Sequence, residues 1–133
     1  MAIVVGYVAT KEGRAALKRA AEECLLRGTR LIVISSHRGG KDFDPDEAIA
    51  FEKELARVAD LLDEKGLDHE VRQLVRGNDP AEDLISVADE EAADFIVIGL
   101  RRRSPVGKLI LGSNAQRILL EAPCPVLAVK AEE

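Results

Sequence analysis

Short apolar runs, rich in β-branched residues, recur along this chain at intervals wide enough for one helix each. That alternation limits the fold more than any other feature. The clear runs are Ala2 to Val8, Leu31 to Ile34, Phe95 to Gly99 and Val126 to Val129, with a weaker one from His69 to Val75. Such runs, with little polar alternation, suit strands buried on both faces, as central parallel strands are. Between the first two, Leu17, Ala20, Ala21, Cys24 and Leu25 recur at i, i+3, i+4, i+7 and i+8, a helix face that covers a sheet. Thr10 is placed to cap that helix and Gly28 to end it.

The other helices carry similar punctuation. Asp44 at N-cap, Pro45 at N1 and Glu47 at N3 predict a helix whose buried stripe is Phe51, Leu55, Val58 and Leu62, closed by Gly66. Asn78-Asp79-Pro80 repeats the cap-then-proline start, with Glu82 at N3 and Leu84, Ile85, Ala88 and Ala92 facing inward, ending near Ala93. Ser113 with Gln116 three residues on reads as a capping box for a helix through Ile118 and Leu119, broken at Ala122-Pro123-Cys124-Pro125. The 133 residues thus give one domain of α/β class, an open five-stranded parallel sheet, doubly wound, with helices on both faces. With strand order 3-2-1-4-5, winding reverses between strands one and four, and ligands bind at the carboxyl ends of strands there. The loops from Gly6 to Thr10 and from Gly99 to Ser113 meet at that place, and His69 to Val75 is the sheet edge on its side.

The second of those loops lies in FIVIGLRRRSPVGKLILGSNAQ, residues 95 to 116, where a strand ends in glycine, a basic loop follows and Gly112-Ser113 opens a helix. A helix start offers free N–H groups and a positive dipole end, so an anion settles there without catalytic machinery. Other chemistries fit poorly. Gly107-Lys108 is no P-loop, because Arg102 and Leu109 stand where that motif needs Gly and Ser or Thr. Gly112-Ser113-Asn114 lacks the GxSxG elbow, so no catalytic residue is assigned. Asp42, Asp44 and Asp46 lack the Gly and Glu of a calcium loop, and His37 and His69 lack ligand spacing, so no metal site is expected. The two cysteines, Cys24 and Cys124, have no CxxC spacing and read as reduced thiols. A net charge of −5 and 3% aromatic residues argue against nucleic acid despite Arg101-Arg102-Arg103. The first apolar run is too short for a signal peptide or membrane span, which points to a cytoplasmic protein.

The glycines also carry a resemblance. Gly99, Gly112-Ser113, the short helix after them and APCPVLAVK resemble the universal stress protein family, as do IVVGY and VRGNDPAEDLISVADEEAADFIVIG, so the likeness runs the whole chain. ATP-binding members of that family carry glycine, two residues, glycine, nine residues, glycine and Ser or Thr. This chain departs at Arg102, in place of the second glycine, and at Val8, where an aspartate is frequent. The resemblance implies a binding module for ATP or a related adenine nucleotide, with magnesium where the phosphates need it, acting by conformational signalling and hydrolysing slowly if at all. Carried over, Tyr7 and Val8 border the nucleoside, Ser36 lines the adenine slot, Ile98 and Gly99 back the ribose, and Gly112, Ser113 and Asn114 cradle the phosphates. Arg102, Arg103 and Lys108 join them on charge, since a guanidinium pairs well with phosphate. The resemblance further implies a homodimer through the last strand, Val126, Leu127, Ala128, Val129 and Lys130, and its physics agrees, because an open apolar edge invites pairing. The alternative reading is a nucleotide-free homodimer that binds a protein partner, with Arg102 closing the crevice.

Overall fold

The computed structural model describes residues 1–8, 10–37, 45–75, 79–100 and 112–131. The elements are β1 (Ala2–Gly6), α1 (Lys11–Arg27), β2 (Arg30–His37), α2 (Pro45–Glu64), β3 (His69–Val75), α3 (Pro80–Glu90), β4 (Phe95–Leu100), α4 (Ser113–Glu121) and β5 (Val126–Lys130). The strands form one parallel sheet in the order β3-β2-β1-β4-β5, the expected doubly wound arrangement.

Side chains alternate across this sheet and feed two apolar layers. On one side Ile3 and Val5 of β1, Tyr7 just beyond it, and Leu31 and Val33 of β2 pack with α1 and α2. On the other, Val4, Ile32, Ile34, Ile96 and Ile98 pack with α3 and α4. The central strands are buried on both faces, so their apolar residues do not alternate with polar ones. Edge strand β3 is held by ion pairs: Arg72 donates to Glu70 at 2.8 and 3.0 Å and to Glu91 at 2.6 Å, and Arg30 donates to Glu91 at 2.8 Å.

Most helix ends follow the sequence. The Thr10 hydroxyl accepts from the Gly13 N–H at 3.2 Å, and Gly28 closes α1 in the left-handed region at φ 66°. Pro45 and Pro80 open α2 and α3, and Gly66 follows α2 at φ 69°.

Four details differ. Ser113 is not the cap of α4: the Gln116 N–H donates to the Gly112 carbonyl at 3.0 Å, so Gly112 is the N-cap and Ser113 the first helical residue. The extended backbone of Gly112, φ −70° and ψ 165°, starts the helix one residue sooner than a capping box requires. Ala92 is exposed beyond the end of α3 at φ 49°, and Val87 takes the inward place expected of it. Leu25 is half exposed, on the flank of α1 that borders an open groove beside α2. The strand β1 stops at Gly6 rather than Val8, while Tyr7 keeps one sheet-like bond, its N–H donating to the Ile34 carbonyl at 2.9 Å. Asp44, the expected cap of α2, and Asn78 lie outside the described residues, and Asp79 is the N-cap of α3.

Candidate functional site

The carboxyl ends of β1 and β4 open into a crevice of about 210 Å³ at the reversal point of the sheet. Its base is Gly6, Ile98 and Gly99. The first turns of three helices converge on it: Glu12 and Gly13 from α1, Pro80 and Ala81 from α3, Asn114 and Ala115 from α4. Ile34, Leu84 and Ile118 supply apolar walls. Three helix N-termini aimed at one space add three positive dipole ends there, while the walls suit a flat apolar group.

Glycine makes this geometry possible. A Cβ on Gly99 would collide with the Glu12 carbonyl, and one on Gly13 with the Val8 carbonyl. The start of α1 therefore lies directly on the ends of β1 and β4, which brings Glu12 to the crevice. On Gly6 a Cβ would meet Leu84 Cδ2 at 3.1 Å, so the α3 wall is almost as tight. Arg117, on the flank of α4, ties that helix to the start of α3 through Glu82 at 2.9 Å and Asp79 at 3.6 Å, and bonds Glu121 at 2.7 Å. Hydrogen bonds to Glu82 and Glu121 hold its guanidinium more firmly protonated than usual.

Of the residues expected at the site, Tyr7, Val8, Ile98, Gly99 and Asn114 line the crevice. The Tyr7 hydroxyl is committed elsewhere: it donates to Glu54 Oε1 at 2.7 Å, and the ring stacks on Phe51 of α2 at 6.4 Å between centroids. Val8 is half exposed at the rim. Gly112 and Ser113 sit at the start of α4, and Ser36 lies in β2 in register with Leu74. Arg102, Arg103 and Lys108 lie outside the described residues. Val126 to Lys130 form β5, the sheet edge, with Ala128 and Val129 in register with Ile98 and Gly99 of β4.

Sequence reading missed Glu12, Gly13, Pro80, Ala81, Leu84, Ala115 and Ile118. A signal for the first pair was present, since glycine inside a helix costs about 1 kcal/mol and Gly13 in a first turn therefore marks a close approach. Among the described residues no cluster of His, Cys, Asp or Glu is arranged to hold a metal, and no helix is long and apolar enough to cross a membrane.

The universal stress protein family matches residues 1–130 of the chain. A universal stress protein of Mycolicibacterium smegmatis is 48% identical over 128 residues, covering 96% of each chain. A universal stress protein of Archaeoglobus fulgidus superposes with a TM-score of 0.84 at 38% identity over 98% of each chain. A universal stress protein structure from the same organism, in complex with dAMP, superposes with a TM-score of 0.79 at 33% identity, again over 98% of each chain.

Proposed function

The chain belongs to the universal stress protein family, and on that premise we propose that its crevice binds an adenine nucleotide, the binding itself being the signal. One observation carries the reading: three helix N-termini meet over apolar walls at the strand ends, in a fold whose relative from Archaeoglobus fulgidus was solved with dAMP. The base lies between Ile34, Leu84 and Ile98, and the phosphates lie toward Gly112, Ser113 and Asn114. Glu12 provides a carboxylate for the ribose hydroxyls, which answers the absence of an aspartate at Val8. Arg102, Arg103 and Lys108 neutralise the phosphates, with magnesium where ATP is the ligand. The working unit is a homodimer joined through β5.

Calorimetric titration with AMP and ATP tests this. The native chain takes up one nucleotide per protomer, and Ala115→Trp, which fills the crevice from the half-buried first turn of α4, weakens uptake at least tenfold. No uptake at millimolar nucleotide, or uptake that Ala115→Trp leaves unchanged, overturns the proposal and turns attention to a nucleotide-free partner-binding dimer.

A further inference from the structure

A second concavity lies on the opposite side of the sheet. Helices α1 and α2 cover that side together, and between them runs a slot of about 460 Å³. Each helix faces it with one stripe at i, i+3, i+4, i+7 and i+8, from Arg14 to Glu22 on α1, continued by Leu25, and from Glu54 to Leu62 on α2, continued past its end by Lys65. Eleven residues of helix extend about 16 Å, which sets the length of the slot.

Its interior is apolar and its rim is charged. Leu17, Val58 and Leu62 form the buried floor, and Leu25 and Leu61, 50% and 48% exposed, line it where the core leaves them uncovered. Around them stand Arg14, Lys18, Arg57 and Lys65 against two carboxylates, Glu22 and Glu54. Both carboxylates are already engaged: Glu54 by the Tyr7 hydroxyl and Arg57, each at 2.7 Å, and by Arg14 at 3.6 Å, and Glu22 by Arg19 at 3.5 Å. Lys18 and Lys65 have no carboxylate partner among the described residues. A chain of net charge −5 thus carries a local cationic excess at the mouth of an apolar slot.

We propose that this slot binds a single-chain amphiphile with a carboxylate head, of the medium-chain fatty acid class. The apolar tail lies along Leu61, Leu62 and Leu25, and the head pairs with Lys18, beside Arg14 and Arg57 on the rim. A slot of this volume is of the size that holds small ligands. The slot shares Tyr7 with the crevice, and dodecanoate uptake is read in the absence of nucleotide, so failure of one site is distinguishable from failure of the other.

The experiment is calorimetric titration of the full chain with dodecanoate below its micelle concentration, repeated with dodecanol and with the charge-reversed variant Lys18→Glu/Lys65→Glu. Both lysines are exposed, so the variant folds. Saturation at one dodecanoate per protomer is expected, with at least tenfold weaker binding of dodecanol and at least tenfold weaker binding to the variant. Absence of saturable binding, or equal affinity in the charge-reversed variant, overturns the proposal. So does an association seen by sedimentation that Leu61→Asp abolishes while dodecanoate is not taken up, which would make a second copy the occupant.

Discussion

Tyr7 shows what one residue does when alternation and position disagree about its role. The family resemblance put it beside a nucleoside, and it does line the crevice, while its ring, continuing the alternation of β1, packs with Ile3 and Val5 on the side of α1 and α2. Burial, aided by the hydrogen bond to the Glu54 carboxylate, pushes the phenol up to about 12. In return that hydrogen bond holds the Glu54 carboxyl below its ordinary value. The chain has one tyrosine and no tryptophan, so the tyrosinate absorbance band reports Tyr7 alone. Tyrosinate is expected to form with a midpoint near 12 in the folded protein and near 10 in denaturant. Because the folded value is the higher one, the associated stability is full below pH 10 and is lost as pH rises toward 12. Tyr7→Phe removes that alkaline loss and costs about 1–3 kcal/mol near neutral pH in urea unfolding, since the lost bond has a charged acceptor. A folded midpoint near 10 contradicts this account. The face on which Tyr7 sits was legible in the sequence. Its partner Glu54, 47 residues away, was not, because no local pattern encodes a contact between a strand end and a later helix.

At the scale of elements, what could be read was punctuation. Pro45 and Pro80 open helices and Gly28 closes one, because proline tolerates only a first turn and glycine alone enters the left-handed region without cost. Ser113 was misplaced by one position, since Gly112 and a serine after it satisfy a helix start nearly equally and only the backbone decides between them. Gly99 was read as a ligand contact, yet its nearer constraint is the packing of two elements. The Glu12 carbonyl of α1 occupies the place of its missing Cβ, so any side chain there must push α1 off the end of β4. Gly99→Ala is therefore expected to lower unfolding stability by roughly 1–3 kcal/mol in urea titration, as overpacking does elsewhere. Gly112→Ala, at φ −70°, meets no backbone restriction and is expected to cost under about 1 kcal/mol. Equal effects of the two substitutions would remove the case for a close approach at Gly99.

Across the whole molecule, strand order was legible because four clear apolar runs and one weaker run leave little choice of centre and edge, and right-handed crossovers fix the rest. The order places β3 and β5 at the two edges, and they differ in kind. Charged side chains on β3 are knitted to α3 through Arg72 and Glu91, whereas β5 presents Val126, Leu127, Ala128 and Val129 with only partial cover. An edge so apolar and so little protected favours pairing with another strand, and in the proposed dimer that strand is the mate's β5. Ala128 is the middle residue of Val126–Lys130, so antiparallel pairing about a two-fold axis sets it opposite its own copy. It is also exposed in the single chain, so replacing it leaves the apolar layers undisturbed. Ala128→Glu then places two carboxylates face to face across the axis, which weakens pairing without touching either binding region. Sedimentation equilibrium is expected to show a dimer for the native chain and at least a tenfold higher dissociation constant for the variant, with the unfolding midpoint at high dilution unchanged. A native chain that sediments as a monomer, or a variant as tightly paired as the native chain, would mean that β5 is not the dimer strand.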